Sequence, residues 1–448
     1  MSSPRPGAIT AVVLCGAVLG PLNSTMIAVA LPPMAAELDV AASTMSWLVT
    51  AYLIAMAALQ PVAGKLGDRL GPRPVLLTGY ALFCLASALA ALVHSLPLLV
   101  ACRVVQAAAG ALLMPTGLAL LRRAAPPDRL GRAFGVIGAV LPLAAAVGPV
   151  LGGVLLEIGG WPAIFLVNIP VTLFAAALGW WVVPHAPRRV GNGFDVLGAG
   201  WLCALLVGLT VLLDTAPGGP PLALAGAGLA AAAWAFARHE LRHPDPVLPP
   251  RLFAHRSFLA AATGIALANL AFYVTLLAVP LLLHERGIDG AQAGLVLGAL
   301  TLASSPMAVL GGRLADRAGL RLPAVAGLAL VLAGLVPLAL DPAGLPLPLL
   351  VAALAVMGAG VGLSMPAFQL GALHDVAPHD TGMATGVFST SRYLGSMAGT
   401  SLLAGPLALT SPGAGTVLFA LLAIAAAAGV AASASLPRRA VARPAPHG

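Results

Sequence analysis

The sequence predicts an all-α integral membrane protein with fourteen spanning helices, and three observations carry that prediction. Hydrophobic residues make up 60% of the 448 positions and charged residues only 8%, well below the roughly 25% charge of a water-soluble chain. Mainly apolar runs long enough to cross a hydrocarbon core of about 30 Å recur along the whole chain. Finally, 20 of the 23 Lys and Arg residues fall in alternate connections between those runs.

Breaks at charges and at Pro/Gly clusters delimit the runs. The first, 9–31, follows Arg5 but outlasts the apolar stretch of about 7–15 residues in a cleaved leader, so it is expected to be a retained helix. Segments 46–64, 75–93, 97–121, 133–156 and 162–183 complete a first set of six, and 196–213 and 221–238 follow. Segments 258–283, 292–311, 323–340, 346–368, 383–405 and 415–434 form a second set of six. Cys15, Cys84, Cys102 and Cys203 all lie inside predicted spans, where they are expected to act as small apolar side chains without disulfides. High Ala, Gly, Pro and Arg usage with one lysine, Lys65, has the look of a GC-rich bacterial genome.

Orientation follows from the basic residues. Arg5; Lys65, Arg69 and Arg73; Arg122, Arg123, Arg129 and Arg132; Arg188 and Arg189; Arg238, Arg242, Arg251 and Arg256; Arg313, Arg317 and Arg321; and Arg438, Arg439 and Arg443 share one side. Arg286 stands alone on the other, and Arg103 and Arg392 sit within spans. Both termini are therefore expected in the cytoplasm. The net charge of +8 is accounted for by this topology and by anionic lipid headgroups, so membrane lipids and not nucleic acid are the expected partners.

A decapeptide occurs twice, GKLGDRLGPR at 64–73 and GRLADRAGLR at 312–321, with six of ten positions identical and an offset of 248. Each copy follows the second span of its set, which implies two homologous halves. The expected organisation is a six-helix bundle over 1–190, two additional helices over 191–250, a second six-helix bundle over 251–436 and a basic cytoplasmic tail over 437–448.

The repeated loop resembles the signature of the major facilitator superfamily, and further patterns follow in order: RVVQAAAG at 103–110, VGPVLGGVL at 147–155, WPAIFLVNIP at 161–170, FDVLGAG at 194–200 and GMATGVFSTSRYLGSMAG at 382–399. Together they are similar to the fourteen-helix drug:proton antiporters. The resemblance implies the major facilitator fold and export of a small molecule with proton coupling, across a bacterial inner membrane, by a monomer without cofactor. It implies a gating loop made of Gly64, Asp68, Arg69, Gly71 and Arg73 with the counterparts Asp316 and Arg317, and an antiporter-type helix carrying Gly148, Pro149, Gly152 and Gly153.

The residues themselves add physical expectations. Asp68 can accept from N–H groups at a helix start and pair with Arg73, or be an ordinary solvated turn residue. Gly148, Gly152 and Gly153 with Pro149 permit close helix approach and a bend. A charge deep in the bilayer costs about 2.5–3.5 kcal/mol, so Arg103 and Arg392 are expected to face a central cavity, with snorkelling the alternative for Arg103. In LNSTMIAVALP at 22–32 the acidic residue normal to the family is replaced by Asn23, two residues before Thr25. Asn cannot titrate, and no other carboxylate is expected securely inside a span. The cavity should then be electropositive and favour neutral or anionic substrates. Gln106, Asn269, Tyr273 and Gln369 are polar at cavity depth, for ligand binding or helix packing, and His284 beside Glu285 is a candidate proton carrier or a loop residue. No nucleophile–base pair, P-loop or zinc-type histidine spacing is expected, so neither an enzyme nor a metal site is predicted. Import, or transport of a lipid or metabolite, is the alternative within the same fold.

Overall fold

The protein, described by a computed structural model, is resolved over residues 6–438 except 41, 46, 127–128, 186–194, 216–219, 245, 289, 378 and 405–412. Arg5, Arg188, Arg189, Phe194, Asp289, Arg439 and Arg443, with the rest of the basic tail beyond Arg438 and the side chains of Asp214 and His284, lie outside the described residues.

Helices occupy every apolar segment read from the sequence. They are α1 (Pro6–Glu37), α2 (Ala42–Met45), α3 (Trp47–Leu70), α4 (Pro72–Leu92), α5 (Leu96–Ala124), α6 (Leu130–Gly159), α7 (Pro162–Leu166), α8 (Asn168–Val182) and α9 (Val196–Thr215). They continue as α10 (Pro220–Arg242), α11 (Pro250–Ala254), α12 (Arg256–Glu285), α13 (Gly290–Ala318), α14 (Arg321–Leu340), α15 (Leu347–Gly371), α16 (Thr381–Ala404) and α17 (Ala414–Ser433). No strand occurs among the described residues, and eleven spans there are long and apolar enough to cross a membrane. Most helices run past their apolar segments, because helical backbone bonding continues into polar ends. The segment 162–183 is split at Val167 into α7 and α8. Pro170 explains the break, since it cannot donate to the carbonyl of Leu166.

The repeated loops begin within helices. Asp68 lies in the last turn of α3, and Gly71 alone separates α3 from α4. Gly71 and its repeat partner Gly319 have φ of 87° and 82°, a left-handed conformation that glycine adopts without steric cost. Chain reversal in so few residues therefore fixes glycine at both positions.

Contacts between connections show which helix ends lie together. Asp68 meets Arg123 and the start of α16, Asp316 meets the start of α6, and Arg73 meets His185. Lys65 donates to Pro246 O, and Leu320 N–H to Pro437 O. All the described basic connections thus gather at one end of the bundle, the basic end. At the opposite end Trp161 Nε1 donates to Glu37 at 2.8 Å. Arg286, the one basic residue expected there, donates to Pro342 O and Leu345 O.

Across the bundle α3 packs on α16 and α6 on α13, which are equivalent pairings under exchange of the two repeats. Helix α9 packs against α3 and α16 through Ala199, Leu202 and Leu206. Its partner α10 stays peripheral, with Leu224 and Trp234 exposed. Large apolar side chains such as Ile158, Trp181, Leu295 and Leu340 are also exposed on the outside of the bundle, a surface suited to lipid.

Candidate functional site: a closed basic end above a buried arginine

The two repeats close the basic end reciprocally. Asp68 Oδ1 accepts from Gly382 N–H at 3.1 Å and Oδ2 from Met383 N–H at 2.9 Å, at the N-terminus of α16. Asp316 does the same at the N-terminus of α6, accepting from Gly131 N–H at 2.6 Å and Arg132 N–H at 2.9 Å. Each carboxylate satisfies two of the orphan donors of a helix start, where the helix dipole is positive. The backbones can come this close because Gly64 meets Gly382, and Gly131 meets Gly312, so tightly that a methyl group at any of the four would strike the facing carbonyl. Both seams continue toward mid-helix, through Thr390 Oγ1 donating to Ala57 O at 2.7 Å and Ser305 Oγ donating to Ala139 O at 3.0 Å.

Asp68 thus accepts from a helix start, as the sequence suggests, but that helix begins more than 300 residues away and the ion pair is with Arg123 at 3.3 Å. The expected Asp68–Arg73 pair is corrected: Arg73 turns outward to bond the His185 ring at 2.7–2.9 Å and to lie over Trp180. The turn through Gly71 separates the two side chains. Arg122, which sequence reading did not single out, donates to Thr381 Oγ1 and to the carbonyls of Leu373 and Val376 just beyond the end of α15. Arg317 is exposed. Gln369, expected at cavity depth, is instead packed under this closure beside Leu118, Phe134, Thr385 and Phe388, because α15 runs to Gly371 at the basic end.

Deeper in the bundle, Arg103 is fully buried, with Nε donating to Leu48 O at 3.2 Å and Nη1 to Gln106 Oε1 at 2.9 Å. Its guanidinium lies 4.1 Å from the centre of the Tyr52 ring, an attractive cation–π geometry. Snorkelling is excluded by this inward arrangement. Gln106 Nε2 donates to Ser87 Oγ at 2.8 Å, while Asn23 Nδ2 approaches Gln106 Oε1 at 3.5 Å. Asn23 Oδ1 and Arg103 Nη2 are buried without a hydrogen-bond partner, and among the described residues no carboxylate pairs with Arg103. The guanidinium therefore remains a buried positive charge with a donor to spare.

From the other side α16 brings half-buried Arg392, its guanidinium 5.0 Å from the Tyr393 ring. Tyr393 packs against the cluster of Tyr52, Met56 and Ala107, and Tyr52 in turn carries Arg103 over its ring. Tyr52, Ser87 and Tyr393 were not evident from the sequence, because a lone tyrosine or serine in an apolar run carries no periodic signal. Asn269 turns back to its own helix, donating to Ile265 O.

The antiporter-type helix divides between two roles. Gly148 abuts Thr25 Oγ1 and the Leu22 carbonyl, and Gly152 abuts Met26, so α1 and α6 meet along these two glycines. Thr25 is itself back-bonded to Pro21 O and Leu22 O. A methyl group added at Gly153 would meet nothing within 4 Å, and Pro149 is exposed, so neither takes part in that contact. Gly148→Val is expected to force α1 and α6 apart and destabilise the fold by about 1–3 kcal/mol, while Gly153→Ala changes neither melting temperature nor transport; thermal unfolding of the two purified variants checks this.

A separate cluster stands at the start of α9. Asp195 accepts from Gly198 N–H at 2.7 Å and meets His239 Nε2 at 3.0 Å and His243 Nδ1 at 3.7 Å. Burial alone would raise the Asp195 pKa, but the Gly198 amide and the two histidines hold it below the ordinary carboxylate value. The structure thus groups two histidines with a carboxylate, a grouping that sequence spacing did not suggest. His239 and His243 sit one helical turn apart, and pairing of α10 with α9 brings in Asp195.

Comparison with known proteins agrees with this architecture. The family described as Major Facilitator Superfamily matches residues 13–400, with a further match over 259–448. The multidrug resistance protein B homolog of Mycobacterium tuberculosis is 31% identical over 88% of this chain and 74% of its own length. The riboflavin transporter RibZ of Clostridioides difficile is 30% identical over 88% of this chain and 86% of its own. In fold, the human organic anion transporter MFSD10 superposes with a TM-score of 0.70 at 19% identity, covering 96% of this chain and 100% of that one. Repeat, helix pairing and sequence match converge: the chain belongs to the major facilitator superfamily.

Proposed function

We propose that this chain is a secondary active exporter of small neutral or anionic molecules, driven by the proton gradient across a bacterial inner membrane. It works as a monomer of fourteen spanning helices, with 1–190 and 251–436 as two six-helix halves, 191–250 as an inserted pair and both termini cytoplasmic. The observation that carries the substrate reading is Arg103, buried without a carboxylate and joined through Gln106 to Asn23, which stands in place of an acid. A lipophilic cation would meet an uncompensated positive charge there, whereas an anion or a polar neutral ligand would complete the free donor. The reciprocal Asp68 and Asp316 closures support alternating access, since the basic end must open and reclose in each cycle. Relatives include a protein named for multidrug resistance and one named for riboflavin transport. Export is preferred over import because VGPVLGGVL matches the antiporter pattern and Gly148 and Gly152 use it for contact with α1. Superfamily members carry solutes and do not catalyse covalent chemistry, so no enzymatic step is assigned.

The test is accumulation of cationic, neutral and anionic antimicrobials in an efflux-deficient bacterium expressing the chain, with and without a protonophore. The expected result is lowered accumulation of anionic or neutral compounds, restored by the protonophore. Asn23→Asp should shift the preference toward cations by at least roughly tenfold, about the 1.4 kcal/mol of one partly screened charge contact. Selective export of cationic dyes by the unaltered chain would contradict the proposal.

A further inference from the structure

The geometry points to a binding site for one divalent transition-metal ion of the zinc type, formed by Asp195, His239 and His243 at the basic end of the inserted helix pair. One oxygen of Asp195 and one ring nitrogen from each histidine all lie within 4.8 Å of one another. His239 Nε2 is 3.0 Å from both Asp195 oxygens, and His243 Nδ1 is 3.7 Å from Oδ2. Zinc bonds of about 2.0–2.2 Å in a tetrahedral arrangement place ligand atoms roughly 3.3–3.6 Å apart. The three groups already bracket that spacing, so an ion needs only side-chain adjustment. The donor set of two imidazoles and one carboxylate suits zinc and its neighbours and disfavours calcium or magnesium, which take oxygen-only shells.

The supporting structure is that of a ligand site. His239 lies in the last turn of α10 and His243 directly follows that helix, its N–H still bonding His239 O at 2.9 Å, so the helical register carries through the pair. Asp195 is buried and oriented by the Gly198 amide, as outer-shell bonds orient metal ligands. The histidine side chains are 23% and 27% exposed, which leaves a path from the basic-end solvent. A second carboxylate, Glu240, is 3% exposed, and its Oε1 has no hydrogen-bond partner. A methyl group at Gly198 would touch both Asp195 Oδ2 and Glu240 Oε1, so two buried carboxylates stand together where a bound cation would offset their repulsion. The neighbouring cations are Lys65, which donates to Pro246 O, with Arg69 and Arg251. Through Lys65, and through Glu240 Oε2 accepting from Leu248 N–H, an ion here would tie α9 and α10 to the end of α3 that carries the gating loop.

The experiment uses the full chain purified without an affinity tag, stripped with a chelator and dialysed against Zn²⁺ at pH 7.5. One Zn²⁺ per chain is expected, with a rise in melting temperature. His239→Gln or His243→Gln should each weaken binding at least about tenfold, and the double variant should abolish both binding and the thermal shift. Glutamine keeps a hydrogen bond to Asp195, so the variants retain their metal-free melting temperature if the histidines act as ligands. No stoichiometric Zn²⁺ on the unaltered chain, or equal binding by the double variant, would overturn the proposal in favour of a plain Asp–His ion pair.

Discussion

Asp68→Asn should reduce transport to less than about a tenth of the unaltered rate while leaving the amount of protein in the membrane unchanged. The carboxylate holds the Gly382 and Met383 amides and Arg123 at once. Hydrogen bonds to a charged group contribute about 1.5–3 kcal/mol each, and the charge at a helix start adds up to about 2 kcal/mol. Asparagine keeps one neutral acceptor, so a net loss of about 2 kcal/mol is reasonable, a shift of roughly 30-fold away from the closed basic end. Reclosure, not insertion, is what suffers. A thiol reporter distinguishes this from a general defect. Thr385 is buried beneath the closure, so Thr385→Cys, in a background lacking Cys15, Cys84, Cys102 and Cys203, should label faster once Asp68 is replaced. Asp316→Asn should act in the same direction through α6, and normal transport by either variant would remove the closure from the mechanism.

Arg103→Met should abolish transport of anionic substrates and leave the melting temperature equal or higher. A structural arginine would behave otherwise, because removing one partner of a buried pair is strongly destabilising. Here no carboxylate is left behind: the lost partners are the Leu48 carbonyl, the Gln106 side chain and the Tyr52 ring. A buried charge opposes stability by about 2.5–3.5 kcal/mol on insertion scales, and methionine fills much of the same volume without it. Melting curves and transport rates measured on the same preparations check the split. A large drop in melting temperature would assign Arg103 to helix packing.

The spanning helices were legible because apolar run length is a one-dimensional signal. The basic residues also marked connections that share one end of the bundle, since His185 before α9 and Pro246 after α10 meet the same end. The paired loop signatures gave Asp68 and Asp316 their importance. Their partners were not legible, since Gly382 and Gly131 lie 314 and 185 positions away and no local pattern encodes a contact across the pseudo-symmetric seam. The same limit produced the Arg73 misassignment, where nearness in sequence suggested a pair that the left-handed Gly71 turn prevents. At the end of α10 a signal was present and passed over. His239 and His243 are spaced one helical turn apart, but their third partner, Asp195, comes from another helix.

The most direct test of the account is uptake of an anionic compound into inside-out membrane vesicles carrying this chain, with a proton gradient imposed. Inward accumulation that exceeds that of a matched cation, collapses with the gradient and is lost in Asp68→Asn is the predicted result. Preference for the cation, or no gradient-driven accumulation of any anionic or neutral compound that cells expressing the chain exclude, would contradict it.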